Sequence, residues 1–333
     1  MSYEFQPKQE DEPQPEISVE DYLAAQKKSI RKKAWWAIGI GGFVVAVHVG
    51  WLLLFAIIGA DPDFSVLFRS IFFILGLFGF AAGLYGLYYA RSLKLEDLTP
   101  TPEAIEFAQR SAAVTPYYTM ILLGSIIAVF VAQGSVGFDV SLLAAGFVRS
   151  SIVENGEYWR LLTAGALHIN LLHIFLNGNA LYGLGGLVEY LSNRAHLAIV
   201  FVLSIIGGCT ASLLLSPIEQ AAGASGGIMG IFGYLLIYAY RRKQQLPPGF
   251  LKSLLINVAF IAGFGVIAYQ IVDNFAHAGG FLVGAVYAFF QVPKDLAADP
   301  RKTNSIVNTL GIIAIAIYIA EALFAIFRIT GRA

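Results

Sequence analysis

The sequence predicts an all-α polytopic membrane protein of nine spans, and three observations carry that prediction. Hydrophobic residues make up 57% of the chain and charged residues only 13%, against about 25% charged in an ordinary soluble domain. The mean hydropathy is +0.68. The few charges are clustered, which leaves long uncharged stretches of the kind that crosses a bilayer. With a formal net charge of zero, no nucleic-acid partner is expected; the expected surroundings are the lipid bilayer. The single cysteine, Cys209, lies in an apolar run, so an intrachain disulfide is excluded and a packing role is expected.

Residues 1–33 read as a cytoplasmic tail. Its first part, 1–16, is rich in Pro, Gln and Glu and has little to bury, so disorder is expected. Ser18 and Asp21 form a capping pattern that opens a short helix through Ala24 to Lys33. Its basic end (Lys27, Lys28, Arg31, Lys32, Lys33) abuts Trp35 and Trp36, which suit a membrane interface. No small-residue cleavage site follows the first apolar run, so that run reads as a signal anchor that stays in the protein.

Apolar segments follow at 34–60, 65–90, 116–134, 166–190, 195–215, 225–240, 250–271, 274–292 and 304–328. Crossing about 30 Å of hydrocarbon takes roughly 20 helical residues, which most of them supply. Charge tests the count independently. With nine alternating spans and the N-terminus inside, 17 of the 22 Lys and Arg fall on the inner side, as the positive-inside rule requires. The predicted modules are a two-span N-terminal unit (34–90), a linker (91–115) containing Thr99-Pro100-Thr101-Pro102, a core (116–292) and a last span (304–328). The outer stretch 135–163 mixes Phe138, Leu142, Leu143, Phe147 and Val148 with Arg149, Glu154 and Glu157, and reads as an amphipathic hairpin in the outer interface.

Polar side chains inside spans are costly and mark functional cavities. The fourth segment holds His168, His173, Asn177 and Glu189; the sixth opens with Gly223-Ala224-Ser225-Gly226; the eighth holds Asp273, Asn274 and His277. From Ser225 to the basic cluster at Arg241 there are 16 residues, about 24 Å of helix. A 30 Å core therefore leaves Ser225 roughly 6 Å below the outer surface. His277, four residues into its segment, lies at about the same depth. Gly226-x-x-x-Gly230 and Gly280-x-x-x-Gly284 let the two helices approach closely, and a hydroxyl becomes a nucleophile only with a base within about 3 Å. His173 and Asn177, at i and i+4, share a helix face. Together with the Ser225 N–H they are expected to stabilise an oxyanion. Asp273 can cap the helix of His277, so a Ser225–His277 dyad without an acidic third member is expected. His48 and His196 are expected to be structural.

These residues resemble the rhomboid family of intramembrane serine proteases. Trp159-Arg160 is similar to the family's WR pair, His168-x4-His173-x3-Asn177 to its HxxxxHxxxN helix, and Gly185-Gly186-Leu187-Val188-Glu189 to the end of that helix. Gly223-Ala224-Ser225-Gly226 resembles the GxSG nucleophile motif, and Ala276-His277-x-x-Gly280-x-x-x-Gly284 the AHxxGxxxG motif. The resemblance implies a six-helix core over about 116–292 with two extra N-terminal spans and one extra C-terminal span. It implies Ser225 as nucleophile, His277 as base, and His173, Asn177 and the Ser225 N–H as oxyanion donors. Arg160 would brace the first outer loop, and His168 and Glu189 would be structural. It also implies transmembrane protein substrates cut near a helix end at small residues, no metal and no cofactor. The expected location is a bacterial cytoplasmic membrane, N-terminus inside and the site opening outward. One rival is a protease-like protein that binds membrane clients without cutting them; intact Ser225 and His277 argue against it. A transporter is the other, and no inverted repeat supports that.

Overall fold

The computed structural model describes residues 18–59 and 61–331; the tail expected over 1–16 lies outside them. The chain divides into two compact units, one up to Pro100 and one from Thr101 onward.

In the first unit α1 (Val19–Ile57) packs against α2 (Ile71–Ser92). The basic helix expected over 24–33 and the first span are one continuous 39-residue helix. Its first turn is closed by the Ser18 side chain, which accepts from the Asp21 N–H at 3.1 Å. Gly41 and Gly83 have no room for a Cβ, because the backbone of the facing helix fills that space; this close approach is what pairs two otherwise apolar helices in lipid. His48 has a partner that its sequence context hides. Its Nδ1–H donates to the Val44 carbonyl at 2.8 Å and its Nε2 accepts from the Ser70 hydroxyl at 2.9 Å.

The second unit opens with α3 (Pro102–Ala112), capped by the Thr101 side chain, inside the stretch expected as a linker. Phe107 docks α3 edge-on against Tyr190 and Phe250. Then come α4 (Tyr117–Val136), α5 (Phe138–Ala145), β1 (Phe147–Val148), α6 (Arg149–Asn155), α7 (Arg160–Thr163), α8 (Leu171–Leu191) and α9 (Arg194–Leu215). After β2 (Gln220–Ala221) follow α10 (Ser225–Arg241), α11 (Phe250–Ile267), α12 (Asn274–Gln291) and α13 (Ser305–Thr330). Helices α9 and α10 are the most buried, with α12 packed on both and α13 packed on α9 and α4.

Seven described helices are long and apolar enough to cross a membrane: α1, α2, α4, α8, α9, α11 and α13. The chain is a helical, multi-pass membrane protein, but the count of nine is not reached. The two segments that fall out are α10, with 17 residues, and α12, with 18 residues that include Asn274, His277 and Gln291. These are the two that carry the expected nucleophile and base. Packed among other helices, α10 is screened from lipid by protein, so it can be short and polar at one end.

The stretch 135–163 also differs from the hairpin expected of it. It folds as α5, β1, α6 and α7, and it has a small core of its own in which Phe147, Ile152 and Ala164 are buried with Leu213 and Ala221. β1 pairs antiparallel with β2, Phe147 opposite Ala221 and Val148 opposite Gln220. Among the described residues the otherwise helical fold therefore contains one two-residue strand pair. It ties this stretch to the approach to Ser225.

Candidate active site

Ser225 is the first residue of α10, and Ala224 before it offers no side-chain cap. The N–H groups of the first turn thus remain as donors at the positive end of the helix. The chain reaches this point through Gly223, whose φ of +141° L side chains rarely adopt. Its N–H donates to the Ala164 carbonyl at 2.9 Å. A Cβ on Gly223 would sit 2.7 Å from His173 Cε1, 2.9 Å from His173 Nε2 and 3.7 Å from Ser225 Oγ. The imidazole of His173 and the Ser225 hydroxyl therefore flank the same small volume, and only glycine leaves it open.

His173 lies in the first turn of α8, its N–H accepted by the capping Asn170 side chain at 2.9 Å. One turn on, Asn177 is buried, and its amide donates to the His173 carbonyl at 3.1 Å. One of its two N–H bonds is thus spent on its own helix and the other is left over. His168 is not on the helix expected to carry it. It sits in the irregular segment between α7 and α8, fully buried, with its ring 5.0 Å from that of His173. Gln133 of α4 holds this segment from both sides, accepting from the His168 N–H at 2.9 Å and donating to the His168 carbonyl at 3.0 Å. An isolated glutamine in an apolar helix is itself a signal, and the motif reading passed over it.

His277 stands in the first turn of α12, within Coulombic reach of His173. Asp273 caps that helix, accepting from the Ala276 N–H at 3.0 Å, and its other oxygen accepts from the Ser212 hydroxyl. Both oxygens are thus engaged away from the imidazole. Glycines bring α12 onto α10: a Cβ on Gly280 would overlap the Gly226 carbonyl, and one on Gly284 the Gly230 carbonyl. A Cβ on Gly230 would overlap Ser204 of α9. Among the described residues no hydrogen bond joins Ser225 to His277; such contacts commonly tighten only when substrate is bound.

A cavity of about 40 Å³ adjoins Ser225, lined by Phe147, Ala164, Cys209, Ala222, Gly226 and Ala276 among others. It is mostly apolar and has room for a small side chain. Arg160 is buried, donating to the Glu157 carboxylate at 2.5 Å and the Gly146 carbonyl at 2.9 Å, and lying over the Trp159 ring. Glu189, at the far end of α8, accepts from the Tyr118 and Thr119 N–H groups and the Thr119 hydroxyl, and so caps α4. His196 is buried and bonded to the Tyr287 hydroxyl at 2.8 Å.

Arg149 had no assigned role in the sequence. Its guanidinium binds the carbonyls of Ser212, Leu213, Ser216 and Ile218, closing the end of α9 and shaping the loop that leads to Ser225.

The family model described as the Rhomboid domain matches residues 155–294. Rhomboid protease GluP of Bacillus subtilis (strain 168) is 34% identical over 148 residues, which are 44% of this chain and 29% of that protein. Rhomboid protease GlpG of Haemophilus influenzae is 28% identical over 179 residues, 52% of this chain and 90% of that protein. Inactive RHOMBOID-like protein 8 of Arabidopsis thaliana is 28% identical over 138 residues, 41% of this chain and 39% of that protein. The chain thus spans under a third of the length of GluP.

Proposed function

The chain belongs to the rhomboid family, and from that premise we propose that it is an intramembrane serine endopeptidase with Ser225 as nucleophile and His277 as base. The observation that carries the reading is the shared volume at Gly223. A hydroxyl at a helix start and the imidazole of His173 flank a space beside a glycine with φ of +141°. Such a space suits the oxygen of a tetrahedral intermediate.

In this mechanism His277 takes the Ser225 proton as Oγ attacks the scissile carbonyl. The resulting oxyanion is held by the Ser225 N–H, His173 and the spare N–H of Asn177. His277 then hands its proton to the leaving amine, and water hydrolyses the acyl-serine through the same base. The chemistry needs only these side chains. A small residue before the cut fits the cavity of about 40 Å³ beside Ser225. The substrates are transmembrane proteins, and α10 and α12 cross the bilayer inside the bundle, giving nine spans. In this arrangement the N-terminus is cytoplasmic and the site opens to the outer side of a bacterial cytoplasmic membrane. The core is 116–292, with 34–90 and 304–328 added to it.

The test is purified full-length protein incubated with a transmembrane reporter in liposomes. Cleavage is expected from the wild type and lost in Ser225→Ala and His277→Ala. Undiminished cleavage by Ser225→Ala overturns the reading. A second reading, a non-cutting client-binding protein, is favoured by the similarity to a relative named as inactive; it predicts reporter capture with no cleavage by the wild type.

A further inference from the structure

The last span, α13, carries a cluster that the reaction just described does not use. Near one end of it the Arg328 guanidinium lies 5.0 Å from the centre of the Trp159 ring, and Arg160 lies 4.6 Å from the same centre. Phe324, one turn before Arg328, meets Trp159 edge-on at 5.1 Å. Glu157 is shared between the two arginines: one carboxylate oxygen is 2.5 Å from Arg160 Nε, the other 4.0 Å from Arg328 Nη2. Ten residues earlier on α13, about 15 Å along the helix, Tyr318 is fully buried and donates to the Gly165 carbonyl at 3.4 Å. α13 therefore grips the segment 157–165 at two separate points.

That segment ends on the nucleophile loop. Between the two points of grip, Ala164 accepts the N–H of Gly223 at 2.9 Å, two residues before Ser225. A helix that serves only as an anchor has no need of a guanidinium clasped on a tryptophan. At the end of a span, an arginine ordinarily extends toward the headgroups. Here it is turned onto Trp159 instead, with only 25% of its side chain exposed.

We propose that α13 positions the reactive serine: Arg328 and Tyr318 fix the segment 157–165, and its Ala164 carbonyl in turn fixes Gly223 and Ser225. Both are positioning residues, since neither touches the reacting atoms. The inference rests on the reading of Ser225 as nucleophile. It assigns the extra C-terminal span a part in the reaction rather than in anchoring.

The experiment uses the full chain in detergent, with Arg328→Gln, Arg328→Lys and the shape-preserving Tyr318→Phe. Arg328→Gln and Tyr318→Phe are expected to slow fluorophosphonate labelling of Ser225 about tenfold, on the scale by which small misplacements slow reactions. They lower kcat on a transmembrane reporter by a similar factor and leave KM unchanged. Amide exchange at residues 157–165 and at Gly223 rises in both variants, while Arg328→Lys, which keeps the cation over Trp159, restores most of the loss. Wild-type labelling and wild-type exchange in Arg328→Gln and Tyr318→Phe overturn the proposal. If the wild type itself is not labelled, the Ser225 reading fails. The exchange rates then decide by themselves whether α13 holds the loop.

Discussion

The Gly223 α-carbon rests against the imidazole of His173, so closely that a methyl group there would fall 2.7 Å from Cε1. Two independent constraints meet at this residue. A Cβ would press on the imidazole, and the φ of +141° disfavours any L side chain. Gly223→Ala must therefore move either His173 or the peptide that donates to Ala164, and both displace Ser225 Oγ. A displacement of about 1 Å costs on the order of 100-fold in rate. Gly223→Ala is expected to lose at least that factor in kcat on a reporter substrate while helical circular dichroism stays at the wild-type level. A variant with more than a tenth of wild-type kcat would show that the loop has no such role.

The helical glycines divide into two groups with opposite expected effects. At Gly280 and Gly284 a Cβ would overlap backbone carbonyls of α10, which have no flexible end to yield. Overpacking of this kind costs about 1–3 kcal/mol, so Gly280→Ala and Gly284→Ala should each lower the thermal midpoint in detergent. At Gly124 and Gly263 nothing lies within 4 Å of the Cβ position. Alanine there gains up to about 1 kcal/mol of helix propensity, and the midpoint should hold or rise. Equal shifts in both groups would contradict the close α10–α12 contact.

Arg242 carries the far end of the bundle. It is 1% exposed and donates to the carbonyls of Pro293, Asp295, Leu296 and Ala298 and to the Gln245 side chain. Removing it leaves the Pro293 and Ala298 carbonyls without their hydrogen bond and weakens the pairing of Leu296 and Asp295, which also accept from the Gln245 side chain and the Ala298 N–H. With hydrogen bonds to a charged group worth about 1.5–3 kcal/mol each and partly replaceable by water, Arg242→Ala is expected to cost about 3 kcal/mol or more. Arg242→Lys should recover only part of this, since an ammonium lacks the planar fork. Thermal unfolding of the three proteins decides it, and an Arg242→Ala midpoint equal to wild type would refute the assignment.

How much of this was legible in the sequence depends on the range of the interaction. Ser18 and Asp273 cap helices within three residues of themselves, and local spacing announces such caps. The glycine faces of α10 and α12 were visible for the same reason. Arg149, Gln133 and Arg242 bind carbonyls or amides 35 or more residues away, and no local pattern marks those partners. The β1–β2 pair is two residues long, too short for any alternation to show. His168 was placed on a helix because its spacing to His173 fits a motif, yet Asn170 caps α8 and starts the helix after it. Length and hydropathy do not by themselves mark α10 and α12 as spans, because α10 has 17 residues and is buried among other helices, and α12 carries Asn274, His277 and Gln291.

The loop before Ser225 is held by charge, which makes its order depend on pH. Glu219 accepts from the Ser150 N–H at 3.0 Å and from its hydroxyl at 2.6 Å, while the Glu219 carbonyl accepts from the Arg149 N–H. The two Ser150 hydrogen bonds, the hydroxyl's first, hold the Glu219 carboxyl below its ordinary value of 4.5, with Arg149 adding a smaller effect. A carboxyl whose pKa is lower in the folded state stabilises that state at pH values above its unfolded pKa. The contribution fades as pH falls from about 4.5 through the lower folded value. Residues 147–150 and 219–221 should therefore exchange their amides or be nicked by an acid-tolerant protease faster as pH drops across that window. In Glu219→Gln the amide cannot ionise, so the loop should be looser at neutral pH and show no further loosening over the same range. The measurement is local exchange between about pH 3 and pH 6, where carboxylates titrate, in the wild type and in Glu219→Gln. An identical pH dependence in the two proteins would assign the acid sensitivity to another group.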